Sequence, residues 1–390
     1  MSMRSTTLQS LIALIFSVGS VFAGGIVSLL SGRFIEFPWI LALFPPVLTI
    51  RGDIGGILSG KLGTMLNTGR VKASFLGNTK EFYLLLKSIF VLAFLDTLGM
   101  SLFSFSLNFG LGYARVDHLL IYLTLPVFVC LISIAAAMPI TVLVAILSFR
   151  RGFNPDIVVY PAISMVNDVI VASIFFIAVR SVEKGFFYFI ALFSLISLVI
   201  VLNFCSTHVN DLFFRKTILE GVSSVFFSSI LGSFSGSVLT RFRVKIESFP
   251  GLIAIYPAMM STLGGVGSII GSITTTKLAI GLGGSKGRIR LFIRDAAAVE
   301  ISALIIFFTL GILGSLFSGL SIGGYVLTLV KLSLFTNIVG FLGISLLSFI
   351  IAEGTFKRGW DPDNFVIPMV TSSADLMTTL FLFLGIYLLQ

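Results

Sequence analysis

The stretch Asn154–Asp168, NPDIVVYPAISMVND, recurs near the C-terminus as Asp361–Asp375, DPDNFVIPMVTSSAD. Four positions coincide when the two copies are aligned without gaps: a proline, the acid after it, a second proline and the terminal aspartate. The matching pairs are Pro155/Pro362, Asp156/Asp363, Pro161/Pro368 and Asp168/Asp375. Each copy opens an apolar segment, so the two segments are predicted to be equivalent helices of a duplicated chain.

The first half of each copy is typical of a helix start. Asn154 and Asp361 suit the N-cap position, and the proline that follows each of them suits the first helical position. An acid in the first turn is favoured by the positive end of the helix dipole. We therefore interpret Asp156 and Asp363 as capping residues and not as metal ligands.

The terminal aspartate of each copy is harder to explain by capping. Asp168 lies fourteen residues beyond its cap, which is about 20 Å along a helix and close to the middle of a bilayer. A carboxylate at that depth costs about 2.5–3.5 kcal/mol on insertion scales, and the cost recurs at Asp375. Pro161 and Pro368 each free a backbone carbonyl on the same helix. The aspartate and the free carbonyl on each helix together predict an oxygen-rich cation site.

The composition is that of a polytopic helical membrane protein. Hydrophobic residues make up 56% of the 390 residues, charged residues only 11%, and mean hydropathy is +1.09; a soluble protein carries about 25% charged residues. The net charge of +9 is interpreted as loop topology, and nucleic-acid binding is not expected. Cys130 and Cys205 lie in apolar stretches and are predicted to be buried thiols without a disulfide.

Eleven apolar stretches are long enough to cross a bilayer, which takes about 20 helical residues. They are predicted at about 8–31, 39–66, 82–109, 118–149, 155–180, 185–205, 218–239, 250–276, 292–317, 321–352 and 362–389. The first is interpreted as a spanning helix because it is too long for the apolar region of a signal peptide.

A second repeat opens the second span. FPWILALFPPVLTIRGDIGG from Phe37 aligns without gaps onto FPGLIAIYPAMMSTLGGVGS from Phe249. The matches include Pro38/Pro250, Pro45/Pro257, Gly52/Gly264 and Gly55/Gly267. Two motifs that recur in the same order, at nearly the same separation along the chain, indicate duplication. We expect a five-helix repeat at residues 1–182, a linking transmembrane helix at 183–210 and a second five-helix repeat at 211–390.

Basic loops predict how the repeats are oriented. The loop after the second span and the loop before each proline-aspartate motif are basic in both repeats: Arg70, Lys72, Lys80, Arg150 and Arg151 in the first, and Lys286, Arg288, Arg290, Arg294, Lys357 and Arg358 in the second. Because basic loops stay cytoplasmic, the repeats are predicted to be parallel, related by a two-fold axis along the membrane normal. We expect a plasma-membrane protein with its N-terminus in the cytoplasm and its C-terminus outside. The cluster Arg241, Arg243 and Lys245 does not fit this topology.

Proline and glycine in the second span predict a broken or loosened helix, which membranes tolerate beside a water-filled path or inside packed protein. Gly52 and Gly264 each lie seven residues after the proline. Asp53 adds an acid next to Gly52, and Arg51 either neutralises it or leaves it available; the sequence leaves both readings open.

These residues resemble the membrane domain of the MgtE family of magnesium channels, and more closely its relatives, the solute carrier 41 magnesium transporters. The resemblance covers both halves, so it implies that one chain supplies the two halves of a pore which MgtE builds from two chains. The family's pore aspartate, usually preceded by threonine, corresponds to Asp168 and Asp375. Here Asn167 and Ala374 take the place of that threonine. The family's Gly-Gly-Asn-x-Gly motif becomes Gly-Asp at Gly52 and Gly-Gly at Gly264.

Magnesium suits this set of residues. Mg²⁺ requires octahedral oxygen ligands and keeps several waters, so one or two carboxylates with auxiliary carbonyls suffice. We predict that Asp168 and Asp375 face a shared axis with oxygens about 8 Å apart, separated by the hydrated ion. The candidate metal residues are these two aspartates with Asp53, Asn167, Gly52 and Gly264, and the transported Mg²⁺ is the only cofactor expected. His118 and His208 lie at loop ends and are interpreted as interfacial residues.

Three alternatives stay open at this point. The chain acts as a channel, or as an exchanger coupled to Na⁺ or H⁺, for which Asp96 and Glu300 in the third and ninth spans are candidate sites. An intramembrane Mg²⁺-dependent enzyme is disfavoured, because each motif helix carries one deep aspartate with no second acid one turn away. An organic-solute transporter shares the architecture but has less support from the residues.

Overall fold

The computed structural model describes residues 3–150, 155–247, 249–279, 285–317, 323–358 and 362–389. The predicted caps Asn154 and Asp361 lie outside these residues, and so do the side chains of Pro155, Asp156, Pro161, Pro362 and Asp363. In this part of the chain the regular structure is helical, as the composition predicts. The α-helices are α1 Met3–Val18, α2 Ser20–Ser28, α3 Trp39–Asn67, α4 Lys80–Gly110, α5 Leu119–Arg150, α6 Pro155–Glu183, α7 Phe187–His208, α8 Leu212–Arg241, α9 Arg243–Glu247, α10 Pro250–Ala279, α11 Ser285–Phe317, α12 Gly323–Lys357 and α13 Pro362–Leu389.

The eleven predicted spans are confirmed. Helices α1 and α2 together form one candidate span, and α3 to α8 and α10 to α13 form ten more among the described residues. The prediction of a break in the second span is wrong. Helix α3 continues through Pro45 and Pro46, and α10 continues through Pro257. Packing against neighbouring helices holds these segments helical despite the missing N–H groups.

The described helices form two compact units. One, the central unit, comprises Gly32–Arg241; the other, the terminal unit, comprises Met1–Ser31 and Phe242–Gln390. These units do not coincide with the repeats at 1–182 and 211–390. Helix α8 opens the second repeat in sequence but belongs to the central unit, whereas α1 and α2 open the first repeat and belong to the terminal unit.

In the central unit, α8 packs along α3 and α4. Its glycines replace side chains at the contact: a Cβ on Gly232 would lie 3.0 Å from Cα of Pro46. In this way α8 covers the part of α3 where two prolines remove backbone donors. Helix α3, the second helix of the first repeat, is therefore positioned by α8, although α4 to α7 lie between these two helices in the sequence.

In the terminal unit, α1 and α2 pack on α10, and α1 also packs on α11. The hydroxyl groups of Ser17 and Thr262 are hydrogen-bonded at 2.6 Å, and Ser302 donates to the carbonyl of Thr7 at 2.8 Å. Both contacts join the N-terminal helices to the second repeat, and hydrogen bonds between membrane helices stabilise such packing by about 0.6 kcal/mol on average.

The basic loop between α3 and α4 is fixed by charged pairs. Arg70 donates two hydrogen bonds of 2.9 Å to Glu81, and this partner raises the pKa of Arg70. Lys80 donates to Asp211 at 3.0 Å, which lowers the pKa of that carboxyl. The guanidinium of Arg150 donates to the Ala73 carbonyl. The loop is thereby held against the ends of three helices of the central unit.

Candidate ion-binding sites in the two units

A cavity in the central unit brings together two of the predicted site residues. Gly52 on α3 and Asn167 on α6 both line it. The remaining lining residues are Arg51, Gly55, Ser59, Thr141 and Ser164. Hydroxyl, amide and guanidinium groups thus surround a space between three membrane-spanning helices.

Glycine on α3 creates this space. No atom lies within 4 Å of a Cβ built on Gly52, and one built on Gly55 would lie 3.9 Å from Nδ2 of Asn167 and 4.0 Å from a guanidinium nitrogen of Arg51. The two small residues leave room beside the helix for the side chains of Arg51 and Asn167. Here the glycines open a polar cavity and do not serve helix packing.

Asn167 is the most suggestive residue of this cavity. Its side chain is 3% exposed, and its amide oxygen has no hydrogen-bond partner among the described residues. A buried acceptor without a donor is costly, so such a group invites a water or an ion. Asn167 therefore brings a buried amide with an unsatisfied oxygen to the wall of the cavity.

The predicted aspartates lie near this cavity but do not line it. Asp168, adjacent to Asn167, is half-buried, and Asp53 is 5% exposed. Both carboxylates take part in polar or electrostatic interactions. Asp168 belongs to the central unit and Asp375 to the terminal unit, and their pairing across a common axis stays a prediction.

Arg51 is the cavity residue that the sequence did not assign to it. Its side chain is only 2% exposed, although arginine is almost never buried without partners. The sequence signal was present, since an arginine deep in an apolar span is itself unusual. It was interpreted only as a possible partner of Asp53, and its place in the cavity depends on a side-chain conformation that sequence does not determine.

The corresponding glycines of the terminal unit are packed instead of open. A Cβ on Gly264 would lie 3.5 Å from Cγ2 of Thr371, and one on Gly267 would lie 2.3 Å from Cγ1 of Val370. Both neighbours belong to α13, so the glycine face of α10 brings these two helices close together. Gly267 therefore serves close helix packing in this unit, whereas Gly264 lies in ordinary van der Waals contact with α13.

Asp375 on α13 is half-buried and lies near a buried polar pair. The hydroxyl of Tyr256 is hydrogen-bonded to that of Thr379 at 2.7 Å, and Thr379 donates to the backbone carbonyl of Asp375 at 2.8 Å. The charge of Asp375 is close enough to act on Tyr256. These contacts fix the turn of α13 that carries the aspartate.

Two further acids, Asp96 in the central unit and Glu300 in the terminal unit, have similar neighbours. Glu300 accepts a 2.9 Å hydrogen bond from Nδ2 of Asn337. Asn337 corresponds to Cys130 when the repeats are aligned on Asp168 and Asp375, and the Cys130 thiol lies beside Thr97, the neighbour of Asp96. Asp96 and Glu300 do not align in sequence. Nevertheless Glu300 contacts Asn337, and Asp96 is adjacent to Thr97, which lies beside the corresponding residue Cys130.

No three histidine, cysteine, aspartate or glutamate side chains gather into a metal-binding group in the described ranges. His118 accepts from the Arg115 backbone in an exposed turn, and His208 contacts Lys87 at the end of α7. Cys130 and Cys205 are free thiols. A cation in this protein would be held by sparse oxygen ligands and its own water.

Comparisons with known proteins agree with this picture. A family model named MgtE, a divalent cation transporter, matches residues 44–178 and 256–385. The starts of the two matched segments are as far apart as Phe37 and Phe249, and their ends are as far apart as Asp168 and Asp375, so the match follows both sequence repeats. Solute carrier family 41 member 3 of Mus musculus is 24% identical over 388 residues, an alignment that covers 90% of this chain and 75% of the mouse protein. No solved structure matches the chain.

The family match lies over the helices that carry the cavity and both motif aspartates. It extends over more than half of the residues, in two copies. This chain belongs to the MgtE family of divalent cation transporters.

Proposed function

We propose that this chain transports Mg²⁺ across the membrane and that Asp168 and Asp375 attract the ion. The observation that carries the proposal is the buried cavity between Gly52 and Asn167, one residue from Asp168 and inside a segment that matches the family. A membrane-embedded carboxylate beside a polar cavity is the usual mark of an ion path.

The polar lining of the cavity suits the water of a hydrated ion, because Ser59, Thr141 and Ser164 carry hydroxyl groups and Asn167 carries an amide. Mg²⁺ gives up its water reluctantly, so a site that contacts the hydrated ion is easier to fill than one that strips it. The Asn167 amide oxygen and the Thr141 hydroxyl would then accept hydrogen bonds from the ion's water.

The ligand chemistry favours a hard cation. Asn167, Ser59, Thr141 and Ser164 supply oxygen to the cavity, and no thiol or imidazole lines it. Oxygen ligands suit Mg²⁺, whereas softer metals are selected by thiolate and imidazole. This supports Mg²⁺ as the transported ion and the side chains as transient contacts.

Arg51 opposes a divalent ion in the same cavity. Its positive charge is fixed, because guanidinium does not lose its proton in proteins. We propose that Arg51 acts as a resident counter-charge for the acids of the central unit and competes with the transported ion. The terminal unit has Leu263 at the corresponding position, so the two units would differ in their affinity for cations.

The test is Mg²⁺ flux into liposomes that contain the purified chain, followed with an entrapped indicator. We expect a flux that Asp168→Asn and Asp375→Asn each reduce by about tenfold or more, since each removes a charge from the path. Asp117→Asn serves as the matched control, because this aspartate is exposed beside α5. Wild-type flux in both motif variants, or no flux in the wild type, would refute the proposal.

Exchange of Mg²⁺ for Na⁺ or H⁺ is the second candidate function. It is favoured by Asp96 and Glu300, each of which has one buried carboxylate oxygen without a partner among the described residues. Flux measured with and without a Na⁺ or pH gradient distinguishes exchange from passive conduction. Dependence on a gradient that Asp96→Asn or Glu300→Gln removes would favour exchange, and equal flux in all conditions would favour a channel.

We further propose a plasma-membrane location with the N-terminus in the cytoplasm. The anchored basic loop between α3 and α4 supports this orientation, because such loops remain on the cytoplasmic side. Labelling of a cysteine introduced at Leu76, which is 80% exposed in that loop, tests it. In whole cells a membrane-impermeant reagent should fail to label that cysteine.

A further inference from the structure

Helix α4 carries four buried side-chain oxygens without partners in the described ranges; three lie on one face, and that of Asp96 lies about a third of a turn round the helix from them. They belong to Asp96, Ser101, Ser104 and Asn108, which are at most 5% exposed. Oδ2 of Asp96, the two serine hydroxyls and Oδ1 of Asn108 lack a hydrogen-bond partner within the described residues. The row extends about 18 Å along the helix at 1.5 Å per residue. We call these residues, with Tyr122, the polar seam.

Helix α5 completes the seam. Thr97 contacts Cys130, and the ring of Phe105 packs edge-on against Tyr122 at 5.5 Å. The Tyr122 side chain is fully buried, and its hydroxyl also lacks a partner in the described ranges. The two contacts define an antiparallel register that places Ser101 at the level of Pro126. Pro126 has no N–H to give to the Tyr122 carbonyl, which adds another acceptor at the seam.

The seam ends where α4 emerges from the protein. Nδ2 of Asn108 donates to the Ser104 carbonyl, and the Asn108 carbonyl accepts from the amides of Tyr113 and Ala114. Residues 109–112 are exposed. Asn108 is thus the last buried side chain before the surface, and Asp96 lies at the inner end of the row.

The terminal unit has no comparable row among its described residues. In α11 the buried residues beyond Glu300 include Ile306, Phe307 and Leu310, and Leu329 on α12 replaces Tyr122. Ser333, at the position of Pro126, donates to the Phe307 carbonyl at 2.6 Å. Duplication and helix packing alone therefore do not require the seam. Its unsatisfied oxygens belong to the central unit and need their own explanation.

We propose that the polar seam is a buried chain of waters and hydroxyls through which Asp96 exchanges protons with the membrane surface at the C-terminal end of α4. A buried water needs two to four polar partners. Ser101, Ser104, Asn108 and Tyr122 offer them over the outer part of the seam, and the Thr97 hydroxyl, which donates to the Ala93 carbonyl, lies between Ser101 and Asp96. A proton enters from a hydronium ion near Asn108. Each water or hydroxyl accepts one proton and passes one on, so that Oδ2 of Asp96 gains a proton and the carriers are unchanged. This inference concerns proton access and is independent of the identity of the transported metal.

Asp96 has charged neighbours that would respond to its protonation. From α3, Asp53 lies close enough for its charge to act on Asp96, and Arg51 acts on Cys130 of α5. Tyr122 is the other ionisable group that α5 brings to the seam. Residues 221–240 of α8 contain no ionisable side chain, and α7 meets α4 through His208 and Lys87, about two turns inward of Asp96. Protonation of Asp96 would therefore be felt first by Asp53 of α3.

Infrared spectroscopy of the full chain in lipid nanodiscs tests the proposal. We expect a protonated-carboxyl band that Asp96→Asn removes and Asp96→Glu shifts. Transfer to D₂O should move the wild-type band quickly. Tyr122→Phe and Ser104→Val should each slow this exchange by about tenfold or more, because each replaces a carrier oxygen with an apolar group. Rescue of the rate by Ser104→Thr would show that the hydroxyl itself matters.

Ser88→Val is the matched control. Ser88 lies on the same helix and is equally buried, but its hydroxyl donates to the Leu84 carbonyl at 2.8 Å outside the seam. Exchange in this variant should equal that of the wild type. Persistence of the band in Asp96→Asn, or equal exchange rates in Tyr122→Phe and Ser88→Val, would overturn the proposal. Tyr122→Phe removes a single oxygen, so this variant alone tests the proposal if Ser104→Val does not fold. The infrared measurement does not depend on metal flux, so the proton-access proposal is tested independently of the transport proposal.

Discussion

A Cβ atom on Gly236 would lie 2.1 Å from the carbonyl oxygen of Ala42, and one on Gly24 would lie the same 2.1 Å from the carbonyl oxygen of Ala254. The two glycines are as far apart in sequence as Phe37 and Phe249, and so are the two alanines. Each contact lies within one unit and joins the opening helix of one sequence repeat to the second helix of the other. The alignment that relates the two motifs therefore also relates the two opening helices, and each packs in the unit that holds the second helix of the other predicted repeat.

This contact predicts a large effect of a single methyl group. Gly236→Ala and Gly24→Ala should each lower the melting temperature in detergent, because a Cβ that close to a backbone oxygen forces the helices apart. Overpacking of this kind costs about 1–3 kcal/mol. Gly60→Ala is the control, since no atom lies within 4 Å of its Cβ, and alanine there should be neutral or stabilising. An unchanged melting temperature in Gly236→Ala would show that the helices separate without cost.

The packing of the opening helices shows where sequence reasoning ends. Length and hydropathy were enough to predict α8 and the α1–α2 span, because both quantities are local. Which helices they contact depends on which face of each helix is used for packing, and hydropathy does not identify that face because these helices are apolar on nearly every side. Gly24 and Gly236 fall on the same gap-free alignment as Phe37 and Phe249, and this is the signal from which equivalent packing of the two helices could have been inferred.

The sequence predicted some residues of the candidate sites but not how the acids of the two units correspond. Gly52 and Asn167 follow from motif positions, and the structure brings them to one cavity. Asp96 and Glu300 do not align, because they are 204 residues apart (300 − 96), whereas the two pairs of motifs are 207 and 212 residues apart. They are related only through the aligned pair Cys130 and Asn337: Cys130 lies beside Thr97, the neighbour of Asp96, and Asn337 donates to Glu300.

Asn167 is predicted to contact the ion's water. Asn167→Leu should place an apolar group in the cavity and reduce Mg²⁺ flux by about tenfold or more, because the water of the hydrated ion then loses a hydrogen-bond acceptor. Liposome flux measures this effect. Asn203→Leu, on an exposed face of α7, should leave flux unchanged. Full flux in Asn167→Leu would place the path elsewhere.

Arg51 is predicted to weaken cation binding. Arg51→Gln should tighten Mg²⁺ binding about tenfold, since a unit charge and a divalent ion about 6 Å apart repel by about 1.4 kcal/mol even at the dielectric constant of water. The measurement is the Mg²⁺ concentration that half-saturates thermal stabilisation. The melting temperature without Mg²⁺ shows whether the acids nearby tolerate the loss of the guanidinium. Leu263→Gln, at the corresponding position of the terminal unit, is the matched control, and weaker Mg²⁺ binding in Arg51→Gln would contradict the assigned role.

The hydrogen bond between Tyr256 and Thr379 is predicted to hold the turn of α13 that carries Asp375. Tyr256→Phe and Thr379→Val should each destabilise the protein by about 1 kcal/mol, the usual net contribution of one hydrogen bond. The double variant should cost less than the sum, because the two changes remove the same contact. Thermal unfolding of the four proteins gives the coupling energy, and Tyr188→Phe, with a side chain 82% exposed on α7, should have no effect. Strict additivity would mean that the two hydroxyl groups act separately and that the carbonyl of Asp375 is held by Thr379 alone.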